Sequence, residues 1–526
     1  MPPARAALTV LLACAASALG CGAPEAPPWD GSYVPLEERG DWEDPGPLST
    51  CQVRRDGAAP CGSLDSFDLS RCKPRSLEQL ERTGVFRAEL RYEAEGTPEQ
   101  APPRVGGGGF KLAANGAPEL VFGAPGASAV WTSRTLLVSG RKGDSLYTFV
   151  GCNAVSPRVL TGCFSVCRDE QLVETATFRA ERMSRFNGES EASGGLGLLS
   201  ESFVEAGAPV DVHVTAGHAH VISESRPGRP GGLTVFDVSN PRAPVAVGRL
   251  AAPGDANWKG VTSVEGVLYV ATENAGVAVV DISEPSRPTF VRAVPGGPLQ
   301  VSSTSVFGNR LYVTVEAPEP GTLLFDISTP AEPRLVESVT LGKMDPDRPY
   351  SSLRSASIHE DRLYVSHPRN GFLVADISNP DAVSLLGTYT YPYGSSAASV
   401  VGTFAGRPVA FELGRGVGAR LRVLDVSAPA RIVKMGEYGL RHVVSPRDLE
   451  LRGTRLYLTY HQEGLRVLDM SRPTQPREQA WFNTYRESDP GRGDGVEEGA
   501  AGLHVPGDGH VYVVDTARGL LVLNEP

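Results

Sequence analysis

Four sets of residues in this sequence invite a chemical reading. Asp211, His213, His218 and His220 are the most metal-like: His218 and His220 share a strand face by the period of two, and His213 stands on the strand before them. His220, however, takes a place that Tyr holds in similar segments downstream, so packing between sheets is the favoured role and neither metal nor cofactor is expected. Nucleophilic catalysis has no Gly-x-Ser-x-Gly elbow, and His359-Glu360 lacks the second His of a zincin. Gly106–Gly109 lacks the Lys-Ser/Thr of a phosphate loop and reads as a flexible hairpin tip. Arg492-Gly493-Asp494 is an adhesion-like tripeptide that chance explains. Nothing here argues for an enzyme.

The cysteines carry more. Arg5 followed by the apolar run 6–19 has the form of an export signal, too short to cross a bilayer. It ends in Ala18-Leu19-Gly20-Cys21, which resembles a bacterial lipobox and implies cleavage before Cys21 and lipid attachment to its thiol. An ordinary signal peptide cut nearby is the rival. Gly22 supplies no inner-membrane retention signal, so the outer membrane is the expected location. Cys51, Cys61, Cys72, Cys152, Cys163 and Cys167 remain, an even set confined to one stretch of an exported chain, which points to disulfides of open connectivity. A net charge of −11 disfavours nucleic acid and any membrane contact beyond the lipid.

The elements that must position these groups are strands. Gly 59, Pro 43 and only five Met among 526 residues suit a turn-rich all-β chain of more than one domain. After a signal at 1–20, residues 21–50 are rich in Pro and acids and read as an extended tether. Alternating runs such as Phe86-Arg-Ala-Glu-Leu-Arg-Tyr92 make 51–185 a small disulfide-bonded antiparallel sandwich or barrel. Residues 186–195 read as a linker.

From 196 to 526 a unit repeats. Its phrase is an apolar strand closed by Asp-(Val/Ile/Met)-Ser-x-Pro, beginning at Asp237, Asp281, Asp326, Asp376, Asp425 and Asp469, at intervals of 44, 45, 50, 49 and 44 residues. Leu521-Val-Leu-Asn524 is a truncated seventh copy. Four short strands fill such a unit, one blade of a propeller. The Asp and Ser can bond nearby amides, and the Pro ends the ladder, so these six Asp are structural turns. The seventh copy stops after three strands, while Leu196–Phe203 resembles a fourth strand. A seven-bladed ring closed by that N-terminal strand follows.

Leu233-Thr-Val-Phe-Asp237, Val277-Ala-Val-Val-Asp281, Leu421-Arg-Val-Leu-Asp425 and Leu465-Arg-Val-Leu-Asp469 resemble the LVIVD-repeat family over about residues 208–526. The resemblance implies an extracellular propeller and brings no catalytic residues. Inner strands would turn Asp211, Lys259, Gln300, Arg354, Asp448 and Glu498 towards a polar funnel. The expected function is a monomeric, surface-displayed binding or scaffolding propeller for a protein or glycan. The alternatives are a hydrolase or lyase working in the funnel, and a structural envelope component that binds through its N-terminal domain.

Overall fold

The computed structural model describes residues 28–526 except 58, 94–102, 253–256, 340–354, 368–370, 380–382, 394 and 490. Eight antiparallel strands close the first domain into a barrel: β1 (Gly84–Tyr92), β2 (Arg104–Leu112), β3 (Pro118–Val121), β4 (Ala124–Trp131), β5 (Leu136–Lys142), β6 (Ser145–Ser156), β7 (Val159–Arg168) and β8 (Gln171–Arg182), with β8 returning to β1. Of sandwich and barrel, the barrel is the one that forms. Alternate residues point inward, and Phe86, Phe110, Phe149, Phe164 and Phe178 fill the interior. Rings 4.6–5.3 Å apart leave a packed core rather than a ligand cup. Bridges Cys51–Cys163, Cys61–Cys167 and Cys72–Cys152 bind the preceding segment to the outside of β6 and β7.

The second domain is a ring of seven four-stranded blades. Blades 1–6 run through the inner strands Ala208–Thr215, Trp258–Val264, Gln300–Phe307, Ser355–His359, Ser396–Phe404 and Asp448–Arg452, and blade 7 through Ala500–His504. Blade 7 contributes only three strands in order, and Leu198–Ser202 supplies its fourth by pairing with Gly519–Asn524, so the ring closes as the repeat count implied. In all six complete copies the Asp carboxylate accepts the amide of the Ser two residues on, at 2.8–2.9 Å. The intervening apolar residue is buried, and its amide bonds the first hairpin of the same blade, as Val238 does to Gly217 and Met470 to Thr454. The motif therefore pins the third strand to the inner hairpin. We call this end of the ring the turn face and the opposite end, where inner strands begin, the funnel face. The fourth strands of blades 1–6 each pair with the third through a β-bulge at the same register, which increases the local twist at the outer edge of the blade.

Three sequence expectations are corrected. The Pro-rich segment is no free tether from residue 28 onward. It lies as a strap along blade 5: Tyr33 donates to Asp425, the Leu36 amide donates to the Lys434 carbonyl, and Trp42 is buried where its Nε1 donates to Glu89 of β1. The linker is likewise structured. Ala192–Ser193 adds a fifth strand to blade 6, and Glu189 pairs with buried Arg466. Burial of these charges and rings is not visible in a composition that looks disordered.

The third correction concerns Gly106–Gly109, which is not a hairpin tip but the middle of β2, laid against blades 5 and 7. A Cβ on Gly109 would lie 2.4 Å from the Phe86 carbonyl oxygen and 2.8 Å from that of Asp494, so two backbones meet there and exclude a side chain. Barrel and ring share a core: Val85 and Met183 join Val443, Val444 and Tyr485. The tripeptide at 492–494 is consumed by the same contact. Arg492 is fully buried against Asp489 and Asp515, and Arg87 donates to the Asp494 carbonyl. Such burial removes it as an adhesive.

Candidate functional site

The inner strands all start on the funnel face, and every blade contributes a residue to one cavity there, of about 280 Å³. Asp211, Lys259 and Asp448 line it, joined by Ser302, Ser355, Arg415, Arg447 and Glu497. Gln300 opens the inner strand of blade 3 but is not among the lining residues, and Arg354 lies outside the described residues. Glu498 sits beside the rim, where it pairs with Arg226 of blade 1 at 3.1 Å and accepts from Thr516.

An inner strand has one ladder edge with no neighbouring strand, so its amides need other acceptors. Side chains from the preceding blade supply them. Asp211 accepts its neighbour Val212 at 2.8 Å and, across the seam, Val261 of blade 2 at 3.0 Å. Asp448 does the same with Leu449 and with Leu503 of blade 7. Glu450 accepts Val505, and His504 accepts Val214, which stitches blade 7 to blade 1. These groups are seams between blades before they are anything else.

Electrostatics follow from that placement. Burial raises the carboxyl of Asp211, and the charge of Asp448 raises it further; burial likewise raises Asp448. Gly502 makes room between them: a Cβ there would fall 2.6 Å from the Asp211 Cα. Lys259 is held by Glu316 of blade 3 at 2.9 Å, and Arg415 pairs with Glu497. The result is a hydroxyl- and charge-lined cup without an aromatic platform among its lining residues. It can recognise a polar or mixed-charge ligand by hydrogen bonds and ion pairing.

The metal-like histidines do not converge. His220 is buried in the Tyr position with Nδ1 facing the His213 carbonyl at 3.2 Å, whereas His213 stacks on His504, ring centroids 4.5 Å apart. Burial lowers His213 to about 3 and His504 to about 4, so both are neutral near pH 7. Among the described residues the only cluster with metal-ligand spacing is Cys51, Cys72 and Cys152, whose sulfurs are spent in disulfides.

Two residues escaped the sequence reading. Arg422 and Arg466 occupy the same place in the third strands of blades 5 and 6, where blades 1–4 have Thr234, Ala278, Leu323 and Leu373. Both are fully buried, and each is met by acids from the N-terminal segments: Glu38 and Asp41 reach Arg422, and Glu189 reaches Arg466. A charge breaking an apolar repeat was the available signal.

Similar solved structures are distant. They include the computationally designed Ika8 protein (TM-score 0.41, 10% identity, over 76% of this chain and 96% of that one). The WD40 β-propeller domain of Doa1 gives TM-score 0.45 at 10% identity, over 63% of this chain and 98% of that one. BamB from Moraxella catarrhalis gives 0.39 at 10% identity, over 76% and 99%. No curated protein matches the chain. A family model for the LVIVD repeat matches residues 229–251, 257–295, 300–341, 353–391 and 445–484, and these segments fall on blades 1–4 and 6 of the ring. Over residues 229–484 the chain belongs to the LVIVD repeat family.

Proposed function

We propose that this is a lipoprotein of the bacterial outer membrane that binds a protein or glycan through the funnel face, with the barrel as a rigid shoulder beside the opening and no reaction of its own. The observation that carries the proposal is the convergence of all seven blades on one polar cavity beside the docked barrel. Against catalysis stands the use of the two buried carboxylates: both oxygens of Asp211 and of Asp448 accept backbone amides, so neither is poised as acid or base. Cys21 lies outside the described residues, and its lipid rests on the lipobox resemblance.

The test is capture from the native envelope with the mature chain as bait, beside a Lys259→Glu, Arg447→Glu variant. Loss of the captured partner in the variant supports the funnel. Retention there, with loss on substituting the exposed barrel residues Lys142 and Asp144, would transfer binding to the barrel. Deleting the barrel outright is the poorer test, because Val85 and Met183 belong to the core of blades 5 and 6. Palmitate labelling abolished by Cys21→Ser tests the anchor.

A further inference from the structure

We propose that the docked strap fixes how the propeller is carried on the membrane: the turn face at blades 5 and 6 lies towards the lipid surface, and the funnel and barrel point away. The inference rests on the lipid anchor proposed for Cys21. Its substance comes from the described part of the strap. Gly31 sits against Ala405 and Arg407 of the inner hairpin, and Tyr33 bonds Asp425, both on the turn face. The strap then climbs the outer side of blade 5 past Lys434 and Glu38–Arg422, and at Gly40 and Asp41 it meets Pro392 and Gly418 on the funnel face. Trp42 and Asp44 continue onto the barrel through Glu89 and Arg91. The chain therefore enters at one end of the ring and reaches the barrel at the other.

Reach decides the orientation. Six residues separate Cys21 from Pro28, so the seven steps between them span at most about 25 Å. To face the membrane with the barrel, the anchor would have to pass the height of blade 5, whose nine-residue inner strand Ser396–Phe404 is roughly 30 Å long. It would then have to pass the barrel as well. More than about 30 Å is needed and about 25 Å is available. The charge around the strap's entry agrees. Arg407, Arg431, Arg472 and Arg477 surround it, against Asp30, Asp425 and Asp469, a slightly basic spot on a chain of net −11. Anionic headgroups favour such a spot.

Single cysteines at exposed Ala428 on the turn face and at exposed Lys142 in the β5–β6 hairpin of the barrel test this. The chain beginning at Cys21 is coupled to an aldehyde lipid through the aminothiol of Cys21, which leaves the engineered thiol free for a fluorophore. It is then bound to phosphatidylethanolamine–phosphatidylglycerol vesicles that carry a headgroup quencher. Quenching of the label in Ala428→Cys at least threefold greater than in Lys142→Cys is expected. Equal or reversed quenching overturns the proposal. Glu38→Gln with Asp41→Asn frees the strap and should bring the two labels towards equality; a preference that survives it also overturns the proposal, since something other than the strap would then set the orientation. Because the lipid is attached chemically, a failure of palmitate labelling in cells refutes the native anchor without altering this result.

Discussion

Arg422 makes the strap a measurable element. Its guanidinium is fully buried and meets Asp41 at 2.6 Å, Glu38 at 3.0 Å and Glu412 at 3.6 Å. Two of those three acids come from the strap, so undocking strands a buried cation with Glu412 alone. Breaking a buried pair costs about 3–5 kcal/mol when the partner charge is left behind. Glu38→Gln keeps an acceptor and leaves Asp41 in place, so about 2–3 kcal/mol of docking should be lost. The Leu36 amide, which donates to the Lys434 carbonyl at 2.8 Å, reports docking directly. Its hydrogen-exchange protection should fall roughly 30- to 150-fold in Glu38→Gln. Adding Arg422→Met and Glu412→Gln to Glu38→Gln and Asp41→Asn should return most of it, because none of these four charges then remains to be compensated. Protection at Leu36 within about twofold of wild type in Glu38→Gln would refute the reasoning. Acidity acts on the same contact with two signs. Burial raises Asp41 to about 6, so docking strengthens as pH falls from 6 towards 4. Burial pushes Glu38 the same way, but its bonds from Arg422, Tyr389 and the Gly40 amide outweigh that and hold it near 2, so docking weakens again below its ordinary 4.5.

Three further outcomes follow from the seams and close approaches. His504 accepts the Val214 amide only while Nδ1 is bare, and burial lowers its pKa to about 4, so the blade 7–blade 1 seam should lose protection as pH falls from 6.5 to 4; His504→Asn should abolish that dependence in hydrogen exchange at Val214. Gly109→Ala should weaken barrel docking by about 1–3 kcal/mol, as overpacking against two backbones does, whereas Gly106→Ala meets only the ring edge of Tyr92 and should cost less; limited proteolysis between residues 183 and 192 separates the two. Replacing Cys72 and Cys152 by Ser removes a bridge across 80 residues and should destabilise the barrel by about 4 kcal/mol in the chain-entropy account, read from the loss of near-UV ellipticity on heating, with the ring's own transition retained.

How much of this was legible depends on the range of the interaction. The Asp-x-Ser-x-Pro turn acts within five residues, and its amide bond recurs in every complete copy, so spacing alone gave the blades, their number and the closing strand. The barrel strands were readable for the same reason, since period-two alternation is local: Phe86, Ala88, Leu90 and Tyr92 point inward as the pattern requires. The other face of that strand was not readable. Arg87 and Glu89 look solvent-facing by type, yet both are buried because blades 5 to 7 lie against them.

The amino-acid sequence by itself determined the repeat, the ring, and the inner-strand residues that could face a channel. Only the tertiary structure decided which cysteine meets which, which of those residues share one cavity, and that residues 28–50 are bound rather than loose. Those outcomes depend on charges and glycines hundreds of positions apart, Asp41 with Arg422 and Gly109 with Asp494, whose free energy comes from mutual burial. A side chain's type shows what it can bond to, and folding alone sets what stands opposite it.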